Sequence, residues 1–365
     1  PMTRSLRELP RPLGQTQLDF SEYASNSVAE FRIANQPLKS TPSDNGLVRA
    51  IELCNGAGVC RRRGGGTMCP SFMVTREEEH STRGRANALM ATMSGVLPAG
   101  ELTSPRMYDV MALCVACKAC KAECPSAVDM ARIKTEFLAR YYEVHGVPMR
   151  ARFFGHAALL NRLGSGRGAP VVNAALGSSV GRAVMSRAMG LARERPLPRL
   201  ARETFGMWWK RHQHATTQAD VRAEVLLLID PFTDTTHPQV GRAAVGVLER
   251  VGVRIAAALP ADDGRAFISK GLVVEARRAA EKTVSQLEKW VERGLPIVGL
   301  EPSSLLTLRD EYHYLMPGDS RVAGIAAAAL TFEEYIDGLA ASLAGSGADL
   351  RSFFTYEPRQ VLLHI

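Results

Sequence analysis

The cysteines of this chain are the residues best suited to chemistry, and all of them lie in the first third of the sequence. The seven are Cys54, Cys60, Cys69, Cys114, Cys117, Cys120 and Cys124. Disulfide scaffolds are typical of short secreted chains. A group of thiols confined to one part of a 365-residue chain instead indicates a metal or redox site in a reducing compartment.

The last four cysteines form the run C-x2-C-x2-C-x3-C-P, from Cys114 to Pro125. With this spacing three thiolates close on one iron-sulfur cube, and the fourth, which precedes proline, binds a second cluster. Iron in such clusters prefers soft thiolate ligands, and the short gaps let one tight loop direct three sulfur atoms inward. Zinc sites seldom use this pattern. The run therefore predicts iron-sulfur clusters.

A partner motif lies upstream, at Cys54, Cys60 and Cys69, and its last cysteine also precedes a proline. Cys54 and Cys60 match the first and third positions of the downstream run, so the second position falls on Ala57, which has no donor atom. We therefore expect one cluster to lack a cysteine ligand. The expected sites are a complete [4Fe-4S] centre on Cys69, Cys114, Cys117 and Cys120, and a second centre on Cys54, Cys60 and Cys124.

The sequence leaves the nature of the second centre open. It could hold [3Fe-4S], or [4Fe-4S] with a ligand from Asn55, His80 or a partner chain. A single cluster, with the three remaining cysteines simply buried, is the alternative. Basic residues near the motifs would raise the potential of an anionic cluster, unless they are solvated loop residues. They are Arg61, Arg62, Arg63, Arg83 and Arg85.

Composition and length indicate a globular chain of several domains. With 46% hydrophobic and 22% charged residues it can bury sizeable cores. No apolar run is long enough to predict a membrane-spanning helix, and the first 20 residues lack the apolar core of a signal peptide. The predicted organisation is a partner-binding extended arm (1–45), a helical ferredoxin-like iron-sulfur domain (46–150), a basic helical linker (151–218), an α/β domain (219–345) and a tail (346–365).

The fold prediction rests on the spacing of apolar residues along the sequence. Apolar residues recur at helical spacing over 82–94 and 127–142, in the iron-sulfur part. In the second half, apolar strands at 225–229, 253–258 and 297–300 alternate with helices at 238–251 and 271–293. This alternation predicts a parallel sheet, with polar residues after the strands available for ligands or for helix caps. These are Asp230, His237, Asp262, Asp263 and Glu301 to Ser304.

The segment 150–211 carries a strong positive charge, with twelve Lys and Arg residues against two Glu in a chain of net charge +8. Together with its aromatic residues, this charge is compatible with contact to an anionic membrane face or to an acidic partner. Nucleic-acid binding is less expected, because no recognition motif accompanies the charge. A solvated helical linker between domains is the alternative.

Four motifs carry a resemblance to a known family. They are Cys54-Asn-Gly-x-Gly-x-Cys60, Met68-Cys-Pro-Ser71, His80-Ser-Thr-Arg-Gly-Arg-Ala-Asn87 and Cys114-x2-Cys-x-Ala-Cys-x3-Cys-Pro-Ser-x-Val-Asp-Met130. Over about residues 45–340 the chain resembles the iron-sulfur part of the FAD-linked D-2-hydroxyacid dehydrogenases of D-lactate or D-2-hydroxyglutarate type. These are relatives of the glycolate oxidase and anaerobic glycerol-3-phosphate dehydrogenase iron-sulfur subunits.

The chain departs from the family in its second half. The family's Cys-Cys-Gly motif is Asp262-Asp263-Gly264 here, and its Glu-Pro-Ser-Cys motif ends in Ser304. We therefore expect a half cysteine-rich-type domain without thiol chemistry, in a structural or docking role. The resemblance also implies an FAD domain. No glycine-rich dinucleotide motif follows a strand in this sequence, so the flavin is expected on a partner chain or a missing domain.

The resemblance implies an electron-transfer component that relays electrons from a partner FAD to quinone or another acceptor. Such a chain would be cytoplasmic, either free or peripheral to the inner face of the membrane, and would not turn over substrate alone. A scaffold subunit with largely structural clusters is the second hypothesis. An enzyme that uses the open iron of the three-thiolate centre as a Lewis acid is a third and weaker one.

Overall fold

The computed structural model describes residues 16–24, 46–215, 221–345 and 349–355. Most of the predicted arm and tail, namely 1–15, 25–45, 346–348 and 356–365, lies outside them. The chain folds into two compact units: residues 1–155 with 266–276, and residues 156–265 with 277–365. No helix among the described residues is long and apolar enough to cross a membrane.

The first unit is built from short helices around the cysteine loops. Its helices up to residue 155 are α1 (Ser21–Ala24), α2 (Leu47–Glu52), α3 (Pro70–Thr75), α4 (Thr82–Met93), α5 (Pro105–Ala112), α6 (Ala119–Glu123), α7 (Met130–His145) and α8 (Met149–Gly155). The helices predicted over 82–94 and 127–142 are confirmed as α4 and α7. Helix α7 begins later than predicted because Asp129 accepts a hydrogen bond from Arg132 N and caps the helix there.

The described part of the predicted arm packs on the first unit. The backbone N–H groups of Gln17 and Leu18 donate to the carboxylate of Glu136, at 3.0 and 2.9 Å from Oε2. The Phe20 ring is fully buried, and the guanidinium of Arg132 lies 4.5 Å from its centre. Buried acceptors paired with backbone donors hold residues 16–24 against α7.

The second unit begins with helices and continues as an α/β layer. The helices that precede its sheet are α9 (Ala157–Gly164), α10 (Ala169–Gly177), α11 (Ser179–Met189) and α12 (Phe205–Ala215). The elements that follow are β1 (Ala223–Ile229), α13 (Pro231–Thr235), α14 (Pro238–Arg250), β2 (Val253–Pro260), α15 (Arg265–Ser269), α16 (Val273–Val291), β3 (Ile297–Gly299), α17 (Pro302–Arg309), α18 (Glu311–Leu315), α19 (Ser320–Ala328), β4 (Ala329–Thr331) and α20 (Phe332–Gly345). Residues 266–276 of this stretch belong to the first unit.

The sheet has four parallel strands in the order β2-β1-β3-β4. Strand β1 is central and buried on both faces, because Val225 and Leu227 join the core with α12 and α14 while Leu226 and Leu228 are buried on the other face. This continuous apolar pattern is typical of parallel sheets covered by helices. The predicted parallel sheet and its three strands are therefore confirmed, and β4 is an additional strand.

Candidate iron-sulfur centres

Four cysteines from two separate parts of the sequence line one cavity. Cys69 comes from the upstream motif, and Cys114, Cys117 and Cys120 come from the downstream run. Thr82 and Arg85 also border the cavity. Four thiolates are the ligand set of a [4Fe-4S] cluster. The residues present therefore fit the cluster that the spacing predicts.

Left-handed backbone turns shape the downstream loop. Ala116 and Lys118 have φ values of 52° and 61°, and Cys69 has a φ of 53° just before α3. For residues other than glycine, this conformation costs about 1–2 kcal/mol each. Such strain is retained where the surrounding structure needs the geometry, and it is common at functional sites. Here the two turns fold the C-x2-C-x2-C segment so that its three cysteines face one cavity.

The N-terminus of α4 donates hydrogen bonds to two of the cysteine sulfur atoms. Thr82 N lies 3.0 Å from Cys69 Sγ, and Arg83 N lies 3.4 Å from Cys60 Sγ. The Thr82 hydroxyl is also 3.0 Å from Cys69 Sγ. The first N–H groups of a helix have no partner within the helix and carry a partial positive charge. They therefore stabilise negative charge on both sulfur atoms.

A tight turn holds this end of α4 in place. Residues Glu78–His80 form one turn of 3-10 helix, and Ser81 caps α4 by accepting a hydrogen bond from Gly84 N at 2.9 Å. Gly84 packs directly against that turn, since a Cβ built there would lie 2.0 Å from the carbonyl oxygen of Glu78. The glycine of the His80 to Asn87 motif is thus required by close backbone approach.

The remaining three cysteines form a second group. The pKa of Cys54 is raised, mainly by burial, and the charges of Cys60 and Cys124 raise it further, so the three thiols lie within electrostatic range. The neighbouring Cys69 thiol lowers the pKa of Cys60, against the effect of burial. The same interaction, together with burial, raises the pKa of Cys69.

The two side chains considered as a fourth ligand have partners elsewhere. Asn55 Oδ1 accepts from Ala57 N at 3.0 Å, in a turn that holds the cysteine loop. His80 Nδ1 lies 2.9 Å from the Thr75 hydroxyl, and its other ring nitrogen is 3.5 Å from a carboxylate oxygen of Glu79. Neither of these contacts involves a cysteine.

The arginines near the motifs separate into two kinds. Arg61 and Arg83 form ion pairs with Glu78, at 2.7 and 2.8 Å, and these pairs are at least partly exposed. Arg85 instead is 1% exposed and borders the cavity. Its guanidinium donates to the carbonyl oxygens of Val110 and His80 at 3.0 and 2.7 Å and to the Ser71 hydroxyl at 3.1 Å.

Lys134 is a second buried cation near these cysteines. Its ammonium group donates to the carbonyl oxygens of Ala112, at 3.1 Å, and Cys114. Burial lowers the pKa of Lys134 to about 8; a Cys114 thiolate opposes this effect, whereas the charges of Arg85 and Lys270 add to it. The sequence did not single out Lys134, because nothing in the pattern of α7 distinguishes it from a solvent-facing lysine. Thr82 was equally missed, although the preceding Ser81 is a signal for a helix N-terminus.

The polar residues after the strands of the second unit act mainly as caps. Asp230 Oδ1 accepts from Phe232 N and Thr233 N at 2.9 Å and begins α13. Glu301 accepts from Ser304 N at 2.7 Å and begins α17. Asp263 accepts from Arg265 N at 2.7 Å and is buried, and this burial raises its pKa to about 7. The capping alternative left open by the sequence is therefore the one observed for these residues.

A single metal ion needs several ligands that converge on one point. Within the described residues, no three His, Cys, Asp or Glu side chains converge in this way. An iron-sulfur cube makes a different demand, because its thiolates bind separate iron atoms at its corners. The four cysteines that line the cavity supply the type and number of ligands that such a cube needs.

Comparison with known proteins agrees with this geometry. Residues 50–128 match a family model described as a 4Fe-4S dicluster domain. The match contains all seven cysteines, both the four at the cavity and the group of three. The chain thus contains an iron-sulfur domain of the two-cluster type.

The curated relatives are dehydrogenases. The chain is 28% identical to D-2-hydroxyglutarate dehydrogenase of Pseudomonas putida and 26% identical to that of Escherichia coli, in each case over 71% of this chain and 29% of the relative. It is 27% identical to one subunit of the anaerobic glycerol-3-phosphate dehydrogenase of E. coli, over 42% of this chain and 39% of the relative. No solved structure matches significantly.

These comparisons confirm the resemblance inferred from the motifs, to the iron-sulfur part of the FAD-linked dehydrogenase family. The chain spans less than a third of the length of the D-2-hydroxyglutarate dehydrogenases that it matches. It is an iron-sulfur redox component whose relatives are oxidoreductases.

Proposed function

We propose that this chain relays electrons through two iron-sulfur centres, from an FAD on a partner chain or further domain to quinone or another acceptor. The observation that carries the proposal is the convergence of Cys69 with Cys114, Cys117 and Cys120 on one cavity. A [4Fe-4S] centre on these four is proposed, and a second centre on Cys54, Cys60 and Cys124, of either [3Fe-4S] or [4Fe-4S] type. Relatives named D-2-hydroxyglutarate dehydrogenase support a D-2-hydroxyacid as the ultimate electron donor.

The protein's own groups would bind the clusters and adjust their electronic properties. When bound, iron-sulfur clusters accept and release single electrons. The N–H groups of Thr82 and Arg83 stabilise negative charge on the sulfur atoms of Cys69 and Cys60. Hydrogen bonds to cysteine sulfur are a general means of setting cluster potential. The position of α4 would therefore affect the potentials of both centres.

One side of the four-cysteine site is open to solvent. Cys117 is exposed, whereas Cys69 and Cys120 are buried. The neighbouring Val115 is 65% exposed, which makes this side partly apolar. An electron-transfer partner needs to approach a cluster closely, and we propose that it docks on this side.

A scaffold subunit with structural clusters remains the second candidate. The observation that favours it is that the second unit uses Asp263 and Ser304 where the family has cysteines, and that acidic residues after its strands cap helices. Under this hypothesis the clusters would be present but would not be reduced by substrate.

The deciding experiment measures iron, acid-labile sulfide and low-temperature EPR spectra of the anaerobically purified chain. Spectra are recorded before and after dithionite, and after addition of the candidate flavoprotein with D-2-hydroxyglutarate, D-lactate or glycolate. Flavin oxidation of the hydroxyacid releases two electrons, which two one-electron centres can accept. Reduction of both centres by substrate only when the flavoprotein is present supports the relay. Clusters that dithionite reduces but substrate does not would support the scaffold.

The missing ligand position gives a direct test of the second centre. Ala57 is exposed in the Cys54 to Cys60 loop and occupies the position of the absent cysteine. If the centre is [3Fe-4S], Ala57→Cys is expected to convert it to [4Fe-4S], since a fourth thiolate can then hold a fourth iron. The EPR signal of the oxidised three-iron centre would disappear, and the iron count would rise. Ala57→Ser, with a poorer ligand of similar size, is the control. An oxidised spectrum unaffected by Ala57→Cys would contradict the three-iron assignment.

We further propose that the helices of 157–189 contact an anionic membrane surface, on the inner face of the cytoplasmic membrane. Leu163 and Val180 are 73% and 71% exposed, and Leu159 and Val184 share their helix faces one turn away. Between Glu143 and Glu194 the sequence has no carboxylate, but it has several arginines, of which Arg162 and Arg187 are exposed. Exposed apolar groups next to exposed arginines are typical of interfacial helices.

Binding to vesicles tests this surface. Each arginine near an anionic bilayer contributes about 1 kcal/mol, so the double variant Arg162→Glu, Arg187→Glu is expected to weaken binding by at least about tenfold. The assay compares sedimentation with phosphatidylglycerol and phosphatidylcholine vesicles. Val74→Ser removes an exposed apolar side chain in the other unit and is the matched control. Equal binding of the native chain and the double variant to anionic vesicles would refute lipid contact at this surface, and capture of an acidic protein would then be the alternative.

A further inference from the structure

Two buried cations flank the four-cysteine cavity. Arg85 borders the cavity and is 1% exposed, and Lys134 is 9% exposed. Lys134 holds the carbonyl of Cys114, so it contacts the backbone of one of the cysteines that line the cavity. The two cations are close enough for the charge of Arg85 to act on Lys134.

Neither cation has an ion-pair partner within the part of the chain that the structure describes. The guanidinium of Arg85 bonds to two carbonyl oxygens and one hydroxyl, and the ammonium of Lys134 bonds to two carbonyl oxygens. Val110 and Ala112, which supply two of these carbonyls, lie in the last turn of α5. Helix C-termini carry only a partial negative charge. Among these contacts, the positive charges of Arg85 and Lys134 therefore meet only partial negative charges.

Buried charges without a counter-charge are strongly unfavourable. The cavity beside these cations is lined by four thiols that lose their protons when they bind iron. A four-thiolate [4Fe-4S] centre has a net negative charge in both of its usual redox states, and this charge becomes larger on reduction. The missing counter-charge of Arg85 and Lys134 would thus be supplied by the cluster.

We infer that Arg85 and Lys134 are positioning residues that balance the charge of the four-thiolate centre and raise its potential. This inference rests on the proposed function, because it requires a cluster at the cavity. The charges act through a low-dielectric interior, where electrostatic interactions are less screened than at the surface. Exposed cations such as Arg106, which is 64% exposed and paired with Glu79, have a much weaker effect.

The test separates charge from hydrogen bonding. Arg85→Gln and Lys134→Gln keep an amide donor for the backbone carbonyls but remove the charge. Arg85→Lys keeps the charge and changes the shape. Arg106→Gln, on α5 in the same unit, removes a solvated charge and is the matched control. The measurement is an EPR-monitored redox titration of the full chain, together with iron and sulfide content. Ala57→Cys changes the EPR signal of the three-thiolate centre. The signal that this variant leaves unchanged therefore belongs to the four-thiolate centre.

Each Gln variant is expected to lower the reduction equilibrium constant of the four-thiolate centre by about tenfold, which is about 59 mV for one electron. The three-thiolate centre and the Arg106→Gln protein should keep native potentials, and Arg85→Lys should remain close to native. Potentials equal to native in both Gln variants, with full cluster content, would overturn the inference.

Loss of the cluster is also informative. Loss in Arg85→Gln but retention in Arg85→Lys would support charge balance, whereas loss in both would show that shape alone is required and would overturn it. A native chain that binds no cluster would instead reject the proposed function itself.

Discussion

Replacement of Gly84 by alanine is expected to destabilise the first unit and to abolish binding of both clusters. The added Cβ would lie 2.0 Å from the Glu78 carbonyl oxygen, 2.7 Å from its carbonyl carbon and 2.9 Å from Glu79 Cα. All three are backbone atoms, so the Glu78–His80 turn or α4 must move. Overpacking of this kind costs about 1–3 kcal/mol. We expect a cost at the upper end of this range, since Gly84 N also donates a hydrogen bond to the hydroxyl of Ser81, which caps α4.

The effect on the clusters follows from the position of α4. Thr82 N and Arg83 N donate to Cys69 and Cys60, which belong to different proposed centres. A displaced helix would withdraw both donors at once. The measurements are iron and sulfide per chain and the unfolding midpoint. Gly100→Ala is the control, because a Cβ there meets nothing within 4 Å. Native iron content and native stability in Gly84→Ala would show that this contact does not position the sites.

Replacement of Asp263 by asparagine is expected to stabilise the second unit at neutral and alkaline pH. Asp263 is buried, and burial is the main cause that raises its pKa to about 7. The neighbouring Ser304 hydroxyl and the hydrogen bond from Arg265 N oppose the rise, and the charges of Asp262 and Asp230 add to it. Because the folded-state pKa exceeds the unfolded value of about 3.9, the folded state binds the proton more tightly. The contribution of Asp263 to stability is therefore largest below about pH 4 and falls until about pH 7.

The expected size of this pH effect is about 4 kcal/mol, since one pKa unit corresponds to about 1.36 kcal/mol. Asparagine keeps the acceptor for Arg265 N and cannot ionise. The variant should therefore lose the contribution of Asp263 to the pH dependence between pH 4 and pH 7, and at pH 8 it should be more stable than the native chain by a few kcal/mol.

Tryptophan fluorescence during urea unfolding can follow the second unit specifically, because Trp208, Trp209 and Trp290 are the only tryptophans of the chain and all lie in that unit. Asp337→Asn, which removes an exposed carboxylate from α20, is the control and should retain the native pH profile. If Asp263→Asn shows the same decline with pH as the native chain, ionisation of Asp263 does not govern it.

The sequence predicted the secondary structure of the second unit well, because its signals are local. Strand β1 contains an uninterrupted apolar run over 225–229, and α14 is a strongly amphipathic segment bounded by Pro238 and Gly252. Strand β4 was missed, since three residues between two helices carry too little pattern. Its partner β3 defines it through the pairing of Val298 with Leu330, which is a tertiary contact.

In the candidate site, the cysteine ligands could be predicted from the sequence, whereas the groups that surround them are known only from the structure. The cross-motif pairing of Cys69 with the downstream cysteines follows from spacing alone, and the structure places Cys69 at their cavity. The ligand sets themselves remain predictions. Arg85 was singled out from its position near the motifs, but its burial, and the participation of Lys134, depend on how α4, α5 and α7 pack.

Local sequence patterns were enough to predict thiols spaced for iron-sulfur clusters, in a helical region followed by a parallel α/β layer. Spacing suffices for this because a short loop can place its sulfur atoms in few ways. The packing of the folded chain was needed to show which charges face the cavity, that one helix N-terminus donates hydrogen bonds to Cys60 and Cys69, and that Asp263 is buried. Burial and electrostatic neighbours arise from segments distant in the chain, and no local pattern encodes them.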